Sequence, residues 1–205
     1  MWFVFSLIFL PLLFVQSKCN EILGIPENNH GQEAVTFVGE QEKLLKRGTK
    51  LGVITVLSPE WIFRFSIRLH SLDNVGTFVY CTVFHLTQKK NNANYGDRTP
   101  SMSIAGNPKL ESLRINSAVN GDTSYRWNYP FTLAVNETMD VEIHQRYISN
   151  GKYRYFIRIN EEDIHSVVNT EAKQFYNVKV IAGQEFTGAE VCPASIKNVK
   201  HTNFL

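Results

Sequence analysis

Apolar and polar residues alternate along most of the chain beyond residue 51. Within residues 61–69, every second position is large and apolar: Trp61, Phe63, Phe65, Ile67 and Leu69. A period of two is typical of a β-strand that buries one face. Residues 141–147 and 153–159 show the same alternation, whereas residues 78–86 are apolar on both faces, as expected of a central strand.

Turn signals separate these runs. Asn120-Gly121 ends a predicted strand over 112–119, and Asn150-Gly151 predicts a tight hairpin because glycine accepts the positive φ that such turns need. Glu161-Glu162 predicts a third turn. Further strands are predicted over 34–38, 164–168, 175–182 and 196–204, and one or two helical turns over 41–47. Regular strands without a convincing amphipathic helix indicate an all-β sandwich or barrel.

The same region contains, in order, EW at 60–61, HLT at 85–87, YGDRTP at 95–100, SAVNG at 117–121, a hairpin over 152–160, HSVVN at 165–169 and FYNVKV at 175–180. Together these segments resemble a group of concanavalin A-like lectin/glucanase domains of invertebrate secreted proteins. The resemblance implies an all-β fold over residues 51–205, a two-sheet antiparallel β-sandwich or jelly roll. It is related in shape to laminin-G, pentraxin and galectin domains, but fold does not give function.

The N-terminal segment differs from the rest. Residues 1–15 are almost wholly apolar. Val15 and Ser17 lie three and one residues before a possible cleavage point, where signal peptidase requires small residues. We interpret residues 1–17 as a signal peptide, followed by a leader over 18–50 that contains the first strand. The alternative is an uncleaved anchor, but the run is shorter than the roughly 18 apolar residues that a membrane span needs. We therefore expect a secreted, extracellular protein with no transmembrane segment after cleavage.

Three cysteines follow in this oxidising context. Because the first and last strands of a sandwich lie near each other, we predict a Cys19–Cys192 disulfide, with Cys81 as a buried free thiol. The odd count leaves an intermolecular bridge open. If cleavage falls after Cys19, the pairing of Cys81 and Cys192 is open. In a secreted chain, Asn136-Glu137-Thr138 is a candidate glycosylation site, on a surface loop.

The charge balance and the histidine and cysteine spacing argue against several classes of function. The formal net charge of +2 gives no reason to expect a nucleic-acid partner, which would need a marked basic bias. No nucleophile motif accompanies the histidines, and no His or Cys pair has zinc spacing. We therefore predict no catalytic residues, no resident metal and no cofactor, with calcium as the one candidate ion.

The resemblance supplies one enzymatic alternative. Glucanases of this group carry Glu-x-Asp-x-Glu on one strand, and the nearest match here has Thr138, Asp140 and Glu142. A retaining glycosidase needs two carboxyl groups about 5–5.5 Å apart, one of them the nucleophile. With Thr138 in place of the first glutamate, the attacking group is missing, so a polar outward face is the favoured interpretation.

The loop over 91–100 is a candidate binding element. Oxygen atoms of Asn94 and Asp97 are weak candidates for binding calcium, because hard cations prefer oxygen ligands. Arg98 is a candidate for gripping a carboxylate or a sugar hydroxyl. The structural alternative is that Asp97 shapes the turn and Arg98 pairs with a carboxylate.

Aromatic residues supply a second candidate. Tyr125, Trp127 and Tyr129 share one face of an extended segment, and sugars stack their C–H faces on such rings. The alternative is packing in the core or a loop. A basic sheet face is a third candidate, formed by Arg64, Arg68, His144, Arg146, Arg154 and Arg158. It would attract anionic glycans unless carboxylates pair with it.

These features favour a secreted, non-enzymatic recognition module that binds a carbohydrate. The alternatives are a protein-interaction or structural role, as in an extracellular or venom component, and a degenerate glycosidase. The expected partner is accordingly a glycan or an extracellular protein.

Overall fold

A computed structural model of the protein describes residues 31–71, 80–89, 94–105, 112–130, 134–183 and 190–204. The predicted signal peptide and Cys19 lie outside these residues. The strands are β1 Val35–Val38, β2 Lys43–Leu44, β3 Thr49–Leu57, β4 Glu60–Leu69, β5 Tyr80–Thr87, β6 Ser101–Ala105, β7 Ser112–Val119, β8 Asp122–Pro130, β9 Thr138–Ser149, β10 Lys152–Ile159, β11 Glu162–Asn169, β12 Phe175–Ala182, β13 Glu190–Val191 and β14 Ala194–Phe204. Across the described ranges, no helix has the length and apolar character that crossing a bilayer requires.

The strands form two sheets. The first sheet has the order β1-β14-β4-β9-β10-β11, with β2 beside β14. The second sheet has the order β3-β12-β5-β6-β7-β8, with β13 beside β5. All neighbours are antiparallel except β13, which runs parallel to β5. This is the two-sheet antiparallel sandwich that the alternating pattern and the resemblance predict, with open edges and no closed barrel.

The inward side chains of β4 form the middle of the core. All five apolar residues predicted to point inward, Trp61, Phe63, Phe65, Ile67 and Leu69, are buried. Phe63 and Phe65 meet Phe84 from the second sheet, with ring centroids 5.6 and 4.6 Å apart. Rings from both sheets thus exclude water from one shared interior.

Turn chemistry places the hairpins. Asn150 and Gly151 have φ of 50° and 71°, which confirms the predicted turn between β9 and β10. The next turn lies one residue earlier than predicted, at Asn160 and Glu161, with φ of 48° and 71°. Asn160 exchanges hydrogen bonds with Asp140 of β9, its side chain accepting from the Asp140 N–H. This contact to β9, the strand that neighbours β10 in the sheet, fixes the turn position.

The helical turns predicted over 41–47 are wrong. Lys43 and Leu44 instead form β2, which pairs with Ile196 and Ser195 of β14. Leu45 is buried, and its N–H donates to the carbonyl of Ala194. Tertiary pairing with β14 outweighs the local helix propensity of this segment.

The Cys19–Cys192 pairing is also wrong, because Cys192 is bonded to Cys81, with an S–S distance of 2.07 Å. Strand β13 lies along β5 with Glu190 opposite Cys81 and Val191 opposite Thr82. This register brings Cys192 beside Cys81. Cys81 is therefore not a free thiol, and the bridge joins residues 111 positions apart.

Candidate ligand-binding site on the second sheet

The aromatic residues of β8 lie on its inner side. Tyr125, Trp127 and Tyr129 are half-buried and pack against the core. Trp127 stacks on Tyr129 at 5.5 Å and on His165 of β11 at 5.4 Å. Since β8 and β11 are edge strands of the two sheets, these rings close the sandwich on that side. Glycan stacking on the rings stays a prediction beside this packing role.

The loop before β6 is held together by its own polar groups. Asp97 is 1% exposed, and its carboxylate accepts a hydrogen bond of 3.0 Å from the side-chain amide of Asn94. The Asp97 carbonyl lies 2.6 Å from Nε2 of His85. Asp97 therefore shapes the turn, and no group of three or more His, Cys, Asp or Glu residues suited to a metal occurs among the described residues. A calcium site at Asn94 and Asp97 stays a prediction.

Arg98 leaves this loop and reaches the outer face of the second sheet, the face turned away from the first sheet. Its guanidinium donates a hydrogen bond to the hydroxyl of Ser124 on β8. The side-chain amide of Asn116 on β7 donates to the same hydroxyl over 3.1 Å. Ser124 thus ties the loop to β7 and β8 and fixes where the charge of Arg98 lies.

Two rows of directly opposed residues cross this outer face. One row is His85, Ser101, Asn116 and Arg126, and the other is Thr82, Ser103, Arg114 and Asn128. The β6 positions carry the short hydroxyl side chains of Ser101 and Ser103, whereas Arg114 and Arg126 carry long side chains, and a polar pocket of about 210 Å³ opens on this face. We call it the arginine pocket; it is lined by Tyr80, Thr82, His85, Arg98, Ser101, Met102, Ser103, Arg114, Asn116 and Arg126.

Neighbouring side chains hold Arg114 in place. Its Nε donates to the side-chain carbonyl of Asn128 over 3.1 Å, and Nη2 donates to the hydroxyl of Tyr80. The guanidinium carbon also lies 3.5 Å from the centroid of the Tyr80 ring. Hydrogen bonding and a cation–π contact therefore fix its orientation before any ligand arrives.

The pocket has a positive electrostatic character. None of its lining residues is acidic. Burial lowers the pKa of both Arg98 and Arg114, and the charge of Arg126 lowers it further, while Asp97 raises the pKa of Arg98. Arg126 is exposed and makes no ion pair with another described residue. Converging guanidinium groups suit an anionic or strongly hydrogen-bonding ligand.

The outer face of the first sheet is electrostatically different. Its basic residues do share one face, but carboxylates pair with most of them. The ion pairs are Arg68–Glu42, Arg146–Glu60, Arg154–Asp163 and Arg158–Asp163, and His144 is hydrogen-bonded to Glu142. This is the self-paired face that the sequence offered as the alternative to a glycan-attracting one.

The glucanase-like positions lie on this self-paired face. Asp140 and Glu142 line a cleft of about 750 Å³, together with Arg64, Arg158 and other polar residues. A hydrogen bond of 2.8 Å with His144 lowers the pKa of Glu142. A glycosidase acid has a raised pKa, which is the opposite of the shift at Glu142.

Sequence reasoning identified Arg98 but missed Arg114, Tyr80 and the hydroxyl floor of the pocket. The available signal was that polar residues occupy the outward positions of β5, β6 and β7. Their convergence depends on the order of the strands and on their register, which no local pattern reveals.

No protein-family model matches the chain, and no curated protein matches it in sequence. Among solved structures, a mutant of alginate lyase Aly36B in complex with alginate tetrasaccharide is 12% identical, with a TM-score of 0.53 over 84% of this chain and 80% of that one. The binding domain of botulinum neurotoxin DC in complex with rat synaptotagmin II is 15% identical, with a TM-score of 0.52 over 84% and 44%. The receptor-binding domain of botulinum neurotoxin type G is 14% identical, with a TM-score of 0.51 over 84% and 41%.

At these identities the likeness concerns the fold. It confirms the concanavalin A-like jelly roll that the sequence motifs predict. The chain spans less than half of each toxin chain.

Proposed function

We propose that this protein is a secreted recognition module that binds a glycan in the arginine pocket and catalyses no reaction. The observation that carries the proposal is the composition of that pocket. Hydroxyl and amide groups form its floor, and guanidinium groups stand at its rim. A few convergent polar groups in a concave site are what orient a sugar ligand.

The rim of the pocket is ordered in advance. Ser124 holds Arg98, while Tyr80 and Asn128 hold Arg114. Ordering a flexible side chain on binding costs about 0.5–1.5 kcal/mol. Because hydrogen bonds already order these two arginines, ligand binding would carry little of this entropic cost.

The glucanase-like positions support binding without catalysis. Thr138 stands where the glucanases that the chain resembles have their first carboxylate, and a hydrogen bond with His144 lowers the pKa of Glu142 on the same strand. Solved structures with this fold include a mutant alginate lyase in complex with alginate tetrasaccharide and the receptor-binding domain of botulinum neurotoxin type G. The fold is thus compatible with both glycan and protein recognition.

An extracellular location is supported by the Cys81–Cys192 disulfide, since such bridges persist in oxidising compartments. Asn136 also lies exposed in a turn before β9. Expression in a secreting animal cell should give a mass that an N-glycosidase reduces. Thr138→Ala should abolish this difference and Thr138→Ser should keep it, because serine preserves the sequon.

A glycan array tests the proposed function. The purified protein should show saturable binding that Ser103→Tyr abolishes, because a ring on the floor would fill the pocket while suiting a strand. Ser149→Tyr, at an exposed position on the other sheet, is the matched control and should bind normally. A flat array, or binding that survives Ser103→Tyr in a folded variant, would reject this assignment.

Protein binding is the second candidate, favoured by the exposed apolar residues at the opposite edge of the sandwich. Val35, Val53, Val56 and Tyr176 are between 36% and 55% exposed. The three valines line a cleft of about 410 Å³ between β1 and β3. Exposed apolar clusters often mark protein contacts. Light scattering and crosslinking in extracellular fluid would detect such a partner or an oligomer.

A further inference from the structure

The guanidinium groups of the arginine pocket follow the outer side of β8. Ser124, Arg126 and Asn128 occupy alternate positions on this strand. Arg98 is bonded to Ser124 at one end, and Arg114 is bonded to Asn128 at the other. Four residues of a β-strand span about 13 Å, so the two held arginines are anchored about that far apart, with Arg126 between them.

The charge of this row is weakly compensated. The lining residues of the pocket include no carboxylate, and Arg114 and Arg126 form no ion pair with a described residue. On the first sheet, by contrast, most arginines face a carboxylate across the strands. Asp97 partly offsets the charge of Arg98, but the charges of Arg114 and Arg126 repel each other, and an anionic ligand would relieve that repulsion.

We infer that the ligand is a linear acidic glycan whose carboxylate or sulfate groups lie over Arg98, Arg126 and Arg114 along β8. This inference rests on the proposed function and specifies its ligand class. The fork of donors on a guanidinium matches the paired oxygens of a carboxylate or sulfate. The hydroxyl groups of Thr82, Ser101 and Ser103 lie beside the row and suit the neutral hydroxyls of the same sugars.

Arg126 sets the selectivity of this row. Its side chain is exposed and makes no hydrogen bond to another described residue, whereas the flanking arginines are held by their neighbours. Substituting Arg126 should therefore disturb neither the fold nor the placement of the other two. Arg126→Lys keeps the charge but loses the fork, so it should bind acidic chains with an affinity between those of the wild type and Arg126→Gln.

Calorimetric titration with three chains of equal length tests this inference: a polyuronate, a sulfated glycan and a neutral glucan. At least one acidic chain should bind more tightly than the neutral one, and its affinity should fall as salt rises. Arg126→Gln should weaken this binding by about tenfold or more. Arg47→Gln removes an equivalent charge from an exposed site outside the pocket and should leave the affinity unchanged. The ratio of the two acidic chains identifies which anionic group is preferred.

The outcomes separate this inference from the proposed function. Equal affinity for the neutral chain would overturn the acidic ligand class while leaving a glycan-binding module. An acidic monosaccharide that binds as tightly as the chain would overturn the linear arrangement. If no chain binds and the glycan array is also flat, the proposed function itself is rejected. Unchanged affinity in Arg126→Gln would remove Arg126 from the site.

Discussion

At the scale of single residues, His201 shows how the fold controls a protonation state. Its side chain on β14 is 2% exposed, and Nε2 lies 3.0 Å from the side-chain oxygen of Asn203. Its Nδ1 is buried without a partner among the described residues. Burial lowers the pKa of His201 from 6.5 to about 4, so the imidazole is neutral at physiological pH.

Acidification should therefore destabilise the protein. Between pH 6.5 and about 4 the unfolded chain binds a proton that folded His201 excludes, so stability falls as pH falls. The loss is of the order of 3 kcal/mol below pH 4. Thermal unfolding followed by circular dichroism from pH 7 to pH 4 measures it, and His201→Gln should flatten the profile. The buried His144, whose pKa burial also lowers, adds to the same trend. A melting temperature constant over this range would contradict the argument.

Core packing is a second property of individual residues. Trp61 is 3% exposed, so Trp61→Ala should lower the free energy of unfolding by about 3–5 kcal/mol through lost burial and a new cavity. Urea denaturation measures the change. Tyr176→Ala, at a side chain that is 55% exposed, should change stability by less than about 1 kcal/mol. Similar losses for both variants would argue against the inward position of Trp61.

At the scale of elements, the hairpin between β9 and β10 depends on backbone conformation. Gly151 has φ of +71°, and a Cβ added there would meet no atom within 4 Å. Gly39 has equal space without a positive φ. The two glycines therefore differ in conformation while both have room for a methyl group.

Alanine at these two positions should have opposite effects. Gly151→Ala should destabilise the protein by about 1–2 kcal/mol, because a Cβ is disfavoured in the left-handed region. Gly39→Ala should be neutral or stabilising by up to about 1 kcal/mol, because alanine restricts the unfolded chain. Chemical denaturation of both variants gives the comparison, and equal effects would show that the turn conformation is not limiting.

At the scale of the whole molecule, the Cys81–Cys192 bridge joins the central strand of the second sheet to the segment that leads into β14 of the first. It closes a loop of 111 residues. A bridge of this kind stabilises by about 2–4 kcal/mol, chiefly by restricting the unfolded chain. Although the sandwich buries a large core, this link resists separation of its two sheets.

Removal of the disulfide should lower the stability of the protein, and peptide mapping should identify the two bonded cysteines. The Cys81→Ala/Cys192→Ala variant should lose about 2–4 kcal/mol of stability, and reductant should have little further effect on it. Peptide mapping without reduction should recover residues 81 and 192 in one linked species. Recovery of a Cys19–Cys192 peptide would contradict the pairing.

The candidate site was only partly predictable. Arg98 stands in a loop rich in polar residues, which is a common place for binding groups. Arg114 and Arg126 occupy ordinary outward positions of strands, where a charged side chain usually only contacts water. The aromatic row of β8 suggested a platform for sugar stacking, but two of its rings, Tyr125 and Trp127, stack on His165 of the other sheet. That contact depends on how the sheets stack and has no local signature.

The sequence by itself determined the strands that match β1, β4, β5, β7, β9 to β12 and β14, together with the inward side chains of β4 and the hairpin at residues 150–151. These features follow from side-chain alternation and from the φ preferences of single residues, which act over a few positions. Only the tertiary structure decided that Cys192 meets Cys81, that residues 43–44 pair with β14, and that Arg98, Arg114 and Arg126 lie together. Each of these depends on which strands become neighbours and in what register. That choice is made by burial of the whole core, which a local pattern does not encode.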